Sequence, residues 1–340
     1  MPSAPRHVKS NRLVYWDEGY PPGMRRAATS IALLTLLALG GCGGDGDDEA
    51  GGGPTRVRVQ DTAGVPSAFL QYGVDQGLFK ERDLNVEVTP SQGGATVVPS
   101  VVSGKVDIGG SNLVSVLLAR GEDIPVEIVA PGTFVQDDPK GDFSAIVVGA
   151  DSDIRSPADL EGRSLAINTL KNVAEVTAKA SLAKQGVDVS KVELAEIDFP
   201  DMVPALEQGR VDAAFAIEPF VTQALEAGGR AIDRPYVGTR PGLQIGCYFA
   251  SEQYVQENED VVKRFREGVG ATAEAIRSDP AGFRRFLTEA AELPPPVAKE
   301  IVLPEWRAES DEASLEQIAE LMARYGLTEE KPDTSDVLAE

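Results

Sequence analysis

Gly209-Arg210-Val211-Asp212-Ala213-Ala214-Phe215-Ala216-Ile217-Glu218-Pro219-Phe220 is the stretch on which the fold turns. The run Ala213–Ile217 is apolar and short, the length of a strand in a covered sheet. Gly209 supplies the turn that ends the helical segment before it. Pro219 suits the first turn of a helix that follows. Ligands of open α/β sheets sit beyond the carboxyl ends of the strands, so Glu218 is placed where a ligand-facing side chain would be. The phrase occurs twice: Gly104-Lys105-Val106-Asp107-Ile108-Gly109-Gly110-Ser111-Asn112 has the same Gly-basic-Val-Asp core. Both copies follow a helix-like segment, and both precede another that closes on glycine, Gly121 and Gly228. A helix-to-strand connection is common in any α/β protein, but the matching flanks point to one module used twice and to two facing lobes.

The composition leaves room for this. The chain has 340 residues, 42% hydrophobic and 25% charged, an ordinary globular balance large enough for two lobes. A formal net charge of −22 argues against nucleic acid, whose phosphates need Lys and Arg, and reads as solubility. His7 is the only histidine, and Cys42 and Cys247 are the only cysteines. No Ser-His-Asp set, Cys-x-x-Cys pair or histidine cluster can be assembled. The expectation is a binding protein, not an enzyme, with no catalytic residue, metal or cofactor. Cys247, inside the apolar Gly246–Ala250, reads as a small buried hydrophobe.

The amino terminus reads as an address. Met24-Arg25-Arg26 gives a basic start, and Ala27–Leu39 is an apolar run of signal-peptide length, short for a membrane span. Leu39-Gly40-Gly41-Cys42 resembles a bacterial lipobox, in which the cysteine is lipidated and becomes the first residue. The ordinary alternative is a plain signal peptide with Cys42 incidental. Residues 1–41 are thus expected to be an upstream extension plus lipoprotein signal, with Met24 the true start. Residues 42–54, mostly glycine and acid, would be a flexible tether, and diacylation would hold the protein on the extracytoplasmic face of the cell membrane.

Beyond the tether, strands and helices alternate. Thr55–Gln60 alternates as a strand, and Asp61–Ser67 is a loop running into a helix through Gly73. Leu84–Thr89 is a second strand. Pro90-Ser91-Gln92-Gly93-Gly94-Ala95-Thr96 is a small-residue loop before a helix, able to bring backbone N–H groups to a ligand. Val106–Gly110 is a third strand with Ser111-Asn112 as its loop, and Ile124–Ala130 a fourth. In the second half Ser164–Asn168 and Val192–Ile197 read as strands. The loop Asn168-Thr169-Leu170-Lys171-Asn172 precedes a helix to about Lys184. Its Asn and Thr are also ordinary helix caps. Asn258–Arg277, Ala281–Ala291 and Glu312–Tyr325 are helical, and Pro294-Pro295-Pro296 reads as a rigid spacer.

These residues carry a resemblance. Gly73-Val74-Asp75-Gln76-Gly77-Leu78-Phe79-Lys80, then Leu84-Asn85-Val86-Glu87-Val88, then Gly93-Gly94, then Ser103–Gly109, resemble in order and spacing the nitrate, sulfonate, taurine and thiamine-pyrimidine substrate-binding family of ABC importers. Ser156-Pro157-Ala158-Asp159-Leu160-Glu161-Gly162-Arg163 continues the match, which covers roughly 55–330. The resemblance implies an α/β, type II periplasmic-binding fold: two α/β lobes joined by two crossing segments and closing on a small molecule. Lobe 1 would be 55–143 and 251–330, and lobe 2 would be 144–250, with Ser144–Gly149 and Gly246–Ala250 as the crossing segments.

Expected ligand contacts are Val65, Pro66, Gly93, Gly94, Ser111, Asn112, Phe134, Asn168, Thr169, Asn172 and Glu218. The Asn168–Asn172 loop is included because it lines the cleft in the resembled family. Glu218 is the sharpest of these: a cleft carboxylate would favour a neutral or cationic nitrogenous solute, although it can equally be a first-turn acid held by the helix dipole. Lys171 is the counterweight, able to pair with an anion or with Glu218. Phe69, Tyr72, Phe134, Phe220 and Tyr248 are the aromatic candidates, each more ordinary as core. The reading is therefore an extracytoplasmic, lipid-anchored, monomeric receptor that captures a pyrimidine- or vitamin-precursor-like solute for ABC permease subunits. A sulfonate, nitrate or taurine receptor, a receptor feeding a membrane sensor, and an enzyme on the same fold are the alternatives.

Overall fold

A computed structural model describes residues 53–289 and 293–339. The signal segment, Cys42 and the tether through residue 52 lie outside the described residues. The elements run β1 (Thr55–Thr62), α1 (Val65–Asp75), β2 (Leu84–Ser91), α2 (Gly94–Val102), β3 (Ile108–Asn112), α3 (Leu113–Gly121), β4 (Val126–Pro131) and β5 (Thr133–Phe134). Next come β6 (Ser144–Val148), β7 (Ser164–Ile167), α4 (Val173–Lys184), β8 (Glu193–Glu196), α5 (Phe199–Glu207), β9 (Ala213–Ile217), α6 (Phe220–Glu226), β10 (Arg230–Asp233) and α7 (Pro235–Thr239). The chain returns through β11 (Gly246–Ser251), α8 (Glu252–Glu257), α9 (Glu259–Ser278), α10 (Pro280–Glu289), α11 (Pro295–Glu300), β12 (Glu305–Trp306) and α12 (Glu312–Arg324).

Two five-stranded sheets form the lobes, ordered β2-β1-β3-β11-β4 and β8-β7-β9-β6-β10. In each, the three-strand group is parallel (β1 with β2 and β3, β7 with β8 and β9), and the next strand, β11 or β6, is antiparallel to both neighbours. The antiparallel strand is the one reached by crossing from the other lobe. The buried run Ala213–Ile217 is covered on both faces, as its sequence requires.

The repeated phrase plays the same part in both sheets. Gly104 and Gly209 take positive φ, 69° and 64°, to turn out of α2 and α5. Asp107 Oδ2 then accepts from the backbone N–H of Arg58 on β1 at 2.7 Å, and Asp212 Oδ2 accepts from that of Ser164 on β7 at 2.9 Å. Each aspartate therefore ties the entry of one strand to the entry of its parallel neighbour.

The crossing segments are 132–143 and 234–245, running side by side. Val135 N–H donates to Leu243 O at 2.9 Å and Ile245 N–H to Thr133 O at 2.9 Å. Asp142, fully buried, accepts from Ser144 N–H and from Val237 N–H at 2.7 and 2.8 Å. Gly246–Ala250 is thus not itself a crossing segment: its residues form β11 inside the first-lobe sheet, where their backbone groups pair on both sides. Ser144–Val148 likewise belongs to the second-lobe sheet.

The tail departs from expectation in two places. The three prolines do not act as a spacer, because Pro294 caps α11 and Pro295 and Pro296 open its first turn, where a missing N–H costs nothing. α9 and α10 pack on the first lobe, but α12 touches both α3 and α4. Its start is pinned to the crossing strand: Asp311 N–H donates to Gln244 Oε1 at 2.7 Å, and Gln244 N–H to Ser314 Oγ at 2.8 Å.

Candidate functional site

The cleft between the lobes encloses a cavity of about 50 Å³ at the carboxyl ends of β1, β3, β7 and β9. The helices after β1, β2, β3 and β7 turn their amino ends toward it, contributing Pro66 from α1, Gly93 from the cap of α2, Asn112 from the cap of α3 and Asn172 from the cap of α4. Such ends carry partial positive charge. The lobes touch across the cavity: Asn168 Nδ2 donates to Gln92 O at 3.0 Å, and Gln92 Nε2 donates to Asp198.

The two walls differ in chemistry. The first lobe supplies Asp61, Thr62, Ser111, Asn112 and Tyr248, the second supplies Asn168, Phe199 and Ile217, and the crossing segments supply Phe143 and Tyr236. Tyr236 packs between two rings, 5.1 Å from that of Phe143 and 5.4 Å from that of Phe215. Among the described residues no Lys or Arg lines the cavity.

Among the described residues Asp61 is its one charged lining residue, and it is buried. Its Oδ1 accepts from Thr62 N–H at 2.7 Å, and its Oδ2 accepts from the Tyr248 hydroxyl at 3.2 Å. Burial outweighs these bonds and pushes the carboxyl up to about 7. The space for it is made by Gly110, where a Cβ would stand 2.1 Å from Asp61 Oδ1. Burial, with Asp61 beside it, also raises the Tyr248 hydroxyl well above its ordinary range. Cys247 lines the cavity as a buried thiol that burial likewise pushes up, which favours its neutral form.

Of the residues expected from sequence, the structure brings six to the cavity: Pro66, Gly93, Ser111, Asn112, Asn168 and Asn172. Both cap asparagines also serve their helices, Asn112 accepting from Ser115 N–H at 3.1 Å and Asn172 from Ala174 N–H at 2.8 Å. Five lie elsewhere. Glu218 points away from the cleft, and its carboxylate accepts from Thr222 N–H, Thr222 Oγ and Val302 N–H at 3.0, 3.0 and 3.1 Å. Burial raises its pKa and these bonds oppose that rise. It is a structural tie between α6 and the tail, and Ile217 takes the wall position instead, because neighbours in extended chain face opposite sides. Val65 is in the first-lobe core, and Phe134 is buried on β5 with the Arg307 guanidinium 4.8 Å over its ring. Gly94 lets α2 approach α3, a Cβ there meeting Ser115 Oγ at 2.0 Å. Thr169 Oγ is occupied by Asn172 Nδ2 at 2.5 Å.

Lys171 is exposed and outside the wall, its backbone N–H donating to Glu175. Among the aromatic candidates Tyr248 alone reaches the cavity, while Phe69 stacks on Trp306 at 4.8 Å and Phe220 on Phe199 at 6.0 Å. Sequence reasoning missed Asp61 as a contact, along with Phe143, Phe199 and Tyr236. An acid ending an alternating strand was the only available hint of Asp61. Among the described residues no group of His, Cys, Asp or Glu could hold a metal ion, and no helix is long and apolar enough to cross a membrane.

The chain is 25% identical over 205 residues to the taurine-binding periplasmic protein of Escherichia coli (strain K12), covering 60% of this chain and 61% of that one. It is 25% identical over 240 residues to the formylaminopyrimidine-binding protein of Halalkalibacterium halodurans, covering 68% and 69%. The chain therefore spans about three fifths to two thirds of the length of these relatives. The alkanesulfonate-binding protein SsuA from Xanthomonas axonopodis pv. citri, solved bound to MOPS, superposes with a TM-score of 0.72 at 18% identity, covering 84% of this chain and 99% of that one. At that identity the likeness shows the fold, a periplasmic-binding fold of two α/β lobes. The NMT1/THI5-like family model matches residues 66–282, more than half of the chain. The chain belongs to the NMT1/THI5-like family.

Proposed function

We propose that this protein is the extracytoplasmic solute receptor of an ABC importer, closing its two lobes on a small organic nitrogenous solute. The observation that carries the reading is the cavity itself, walled by strand ends of both sheets and bridged by the Asn168–Gln92 hydrogen bond. A solute that touches both walls binds the closed state better than the open one, and that differential affinity drives closure. The closed form would then engage permease subunits, with the receptor acting as a monomer tethered through lipid on Cys42. Pro66, Gly93, Ser111, Asn112, Asn168 and Asn172 are the proposed contacts. Glu218 no longer supports the preference for nitrogenous solutes. That preference now rests on an aromatic wall facing a polar one, which suits a flat polar ring such as a pyrimidine. A sulfonate or taurine solute remains the second reading, supported by the helix amino ends around the cavity and by the relatives.

A thermal-melt series with aminopyrimidines, small amines, aliphatic sulfonates and nitrate tests the reading. A compound at a hundred times its dissociation constant adds about 2.7 kcal/mol to the folded state, which raises the melting temperature by several degrees. At least one compound is expected to do so, and a melt unmoved by every one of them contradicts the proposal. Replacing Cys42 with Ala should abolish metabolic fatty-acid labelling, and retained label would remove the anchor from the account.

A further inference from the structure

We propose that Asp61, steadied by Tyr248, is the specificity anchor of the cleft and that the solute presents to it a nitrogen base able to carry positive charge, such as an aminopyrimidine or amidine. The inference rests on the solute-receptor reading above and names the chemistry of its ligand.

Three observations carry it. Asp61 is a carboxylate buried in the cavity wall, and among the described residues no Lys or Arg lines that cavity. A lone buried carboxylate is costly unless it is protonated or paired, and a cationic solute would supply the pair that this wall does not. Second, its protein partners leave capacity unused: two donors, Thr62 N–H and the Tyr248 hydroxyl, against about four lone-pair sites. Third, Ser111 Oγ on the neighbouring strand is buried in the same wall with no hydrogen-bond partner among the described residues. An amidine edge has two adjacent N–H donors, which the two oxygens of one carboxylate can accept. A sulfonate or nitrate would place negative charge against Asp61, where the low dielectric strengthens the repulsion.

Gly110 shows that the wall is shaped around this carboxylate, because any larger residue would collide with it. The aromatic groups opposite, Phe143, Phe199 and Tyr236, would cover the faces of a ring whose edge meets Asp61.

Isothermal titration of the purified protein with 4-aminopyrimidine, methylguanidine, methanesulfonate and nitrate decides the matter, on the parent, Asp61→Asn and Tyr248→Phe. Asp61→Asn preserves shape, and circular dichroism checks that both variants are folded. At least one nitrogen base should bind the parent and lose tenfold or more in affinity in Asp61→Asn. Tyr248→Phe should cost a smaller factor, and neither anion should bind the parent. If Asp61→Asn keeps the affinity for the base, or if the parent prefers an anion over both bases, the anchor is overturned while the receptor reading stands. If none of the four binds any of the proteins, the receptor reading falls with it.

Discussion

The two lobes share a framework and differ at the cavity. Their sheets have the same strand order, and each places an antiparallel strand from the crossing at the same rank. Asp107 and Asp212 make the same strand-entry bond in each. At the other end of those strands the likeness stops. β3 ends in Ser111-Asn112, both in the wall, whereas β9 ends in Ile217, with Glu218 turned into the protein. The duplicated part is the part that holds sheets together. The strand ends are free to diverge, one lobe offering a buried acid and hydroxyls, the other, together with the crossing segments, aromatic faces.

The largest expected effect probes the acid that only the first lobe has. Asp61 is pushed up to about 7 and Asp142 to about 6, both chiefly by burial. In the unfolded chain an aspartate ionises near ~4, so folding favours the protonated forms. Their contribution is complete below about pH 4 and is lost as pH rises through about 6 and then about 7. At ~1.4 kcal/mol per unit, Asp61 accounts for up to about 4 kcal/mol of stability lost toward alkaline pH. Urea titrations at acid and alkaline pH should therefore show a clearly smaller loss in Asp61→Asn than in the parent. An equal loss would mean Asp61 is not held as described.

Glu218→Ala comes next. It strips the acceptor from two backbone N–H groups and a hydroxyl in a buried setting, which should cost about 3 kcal/mol. Affinity for any solute found in the melt series should stay within a few-fold, because Glu218 is absent from the wall. A variant with full stability and lost binding would restore it to the cleft.

The smallest effect compares the repeated aspartates. Asp107 pairs with Arg58 at 2.6 Å with its side chain 14% exposed, while Asp212 meets Arg163 at 3.4 Å with 36% exposed. Asp107→Ala should cost about 2 kcal/mol and Asp212→Ala about 1, read from urea midpoints, since exposure weakens an ion pair. A reversed order would break the equivalence drawn between the lobes.

Much of the fold was legible in the sequence because it is local. The strand of Ala213–Ile217, the turns at Gly104 and Gly209 and the helices of the tail follow from short-range pattern. So do the loop after the third strand and the cap-like Asn168–Asn172 loop, which is why Asn112 and Asn172 were found. What the sequence hid was non-local or directional. Phe143 and Tyr236 reach the cavity from crossing segments distant in the chain, with no local mark. Glu218 misled because position at a strand end does not fix which way a side chain points, and the three donors that claim it come from α6 and the start of the tail's irregular segment at Val302. Asp61 was hidden because burial, not residue type, makes it distinctive.

The central claim is that the lobes close on a solute between them. Spin labels at the exposed Thr96 and Asp201, beside the Gln92–Asp198 contact on facing rims, measure this directly in a Cys42→Ser, Cys247→Ser background. Pulsed electron resonance should give a broad or longer distance in the protein alone and one shorter, narrow distance at saturating levels of the compound that raises the melt most. A distance distribution unchanged by a compound that demonstrably binds would contradict closure.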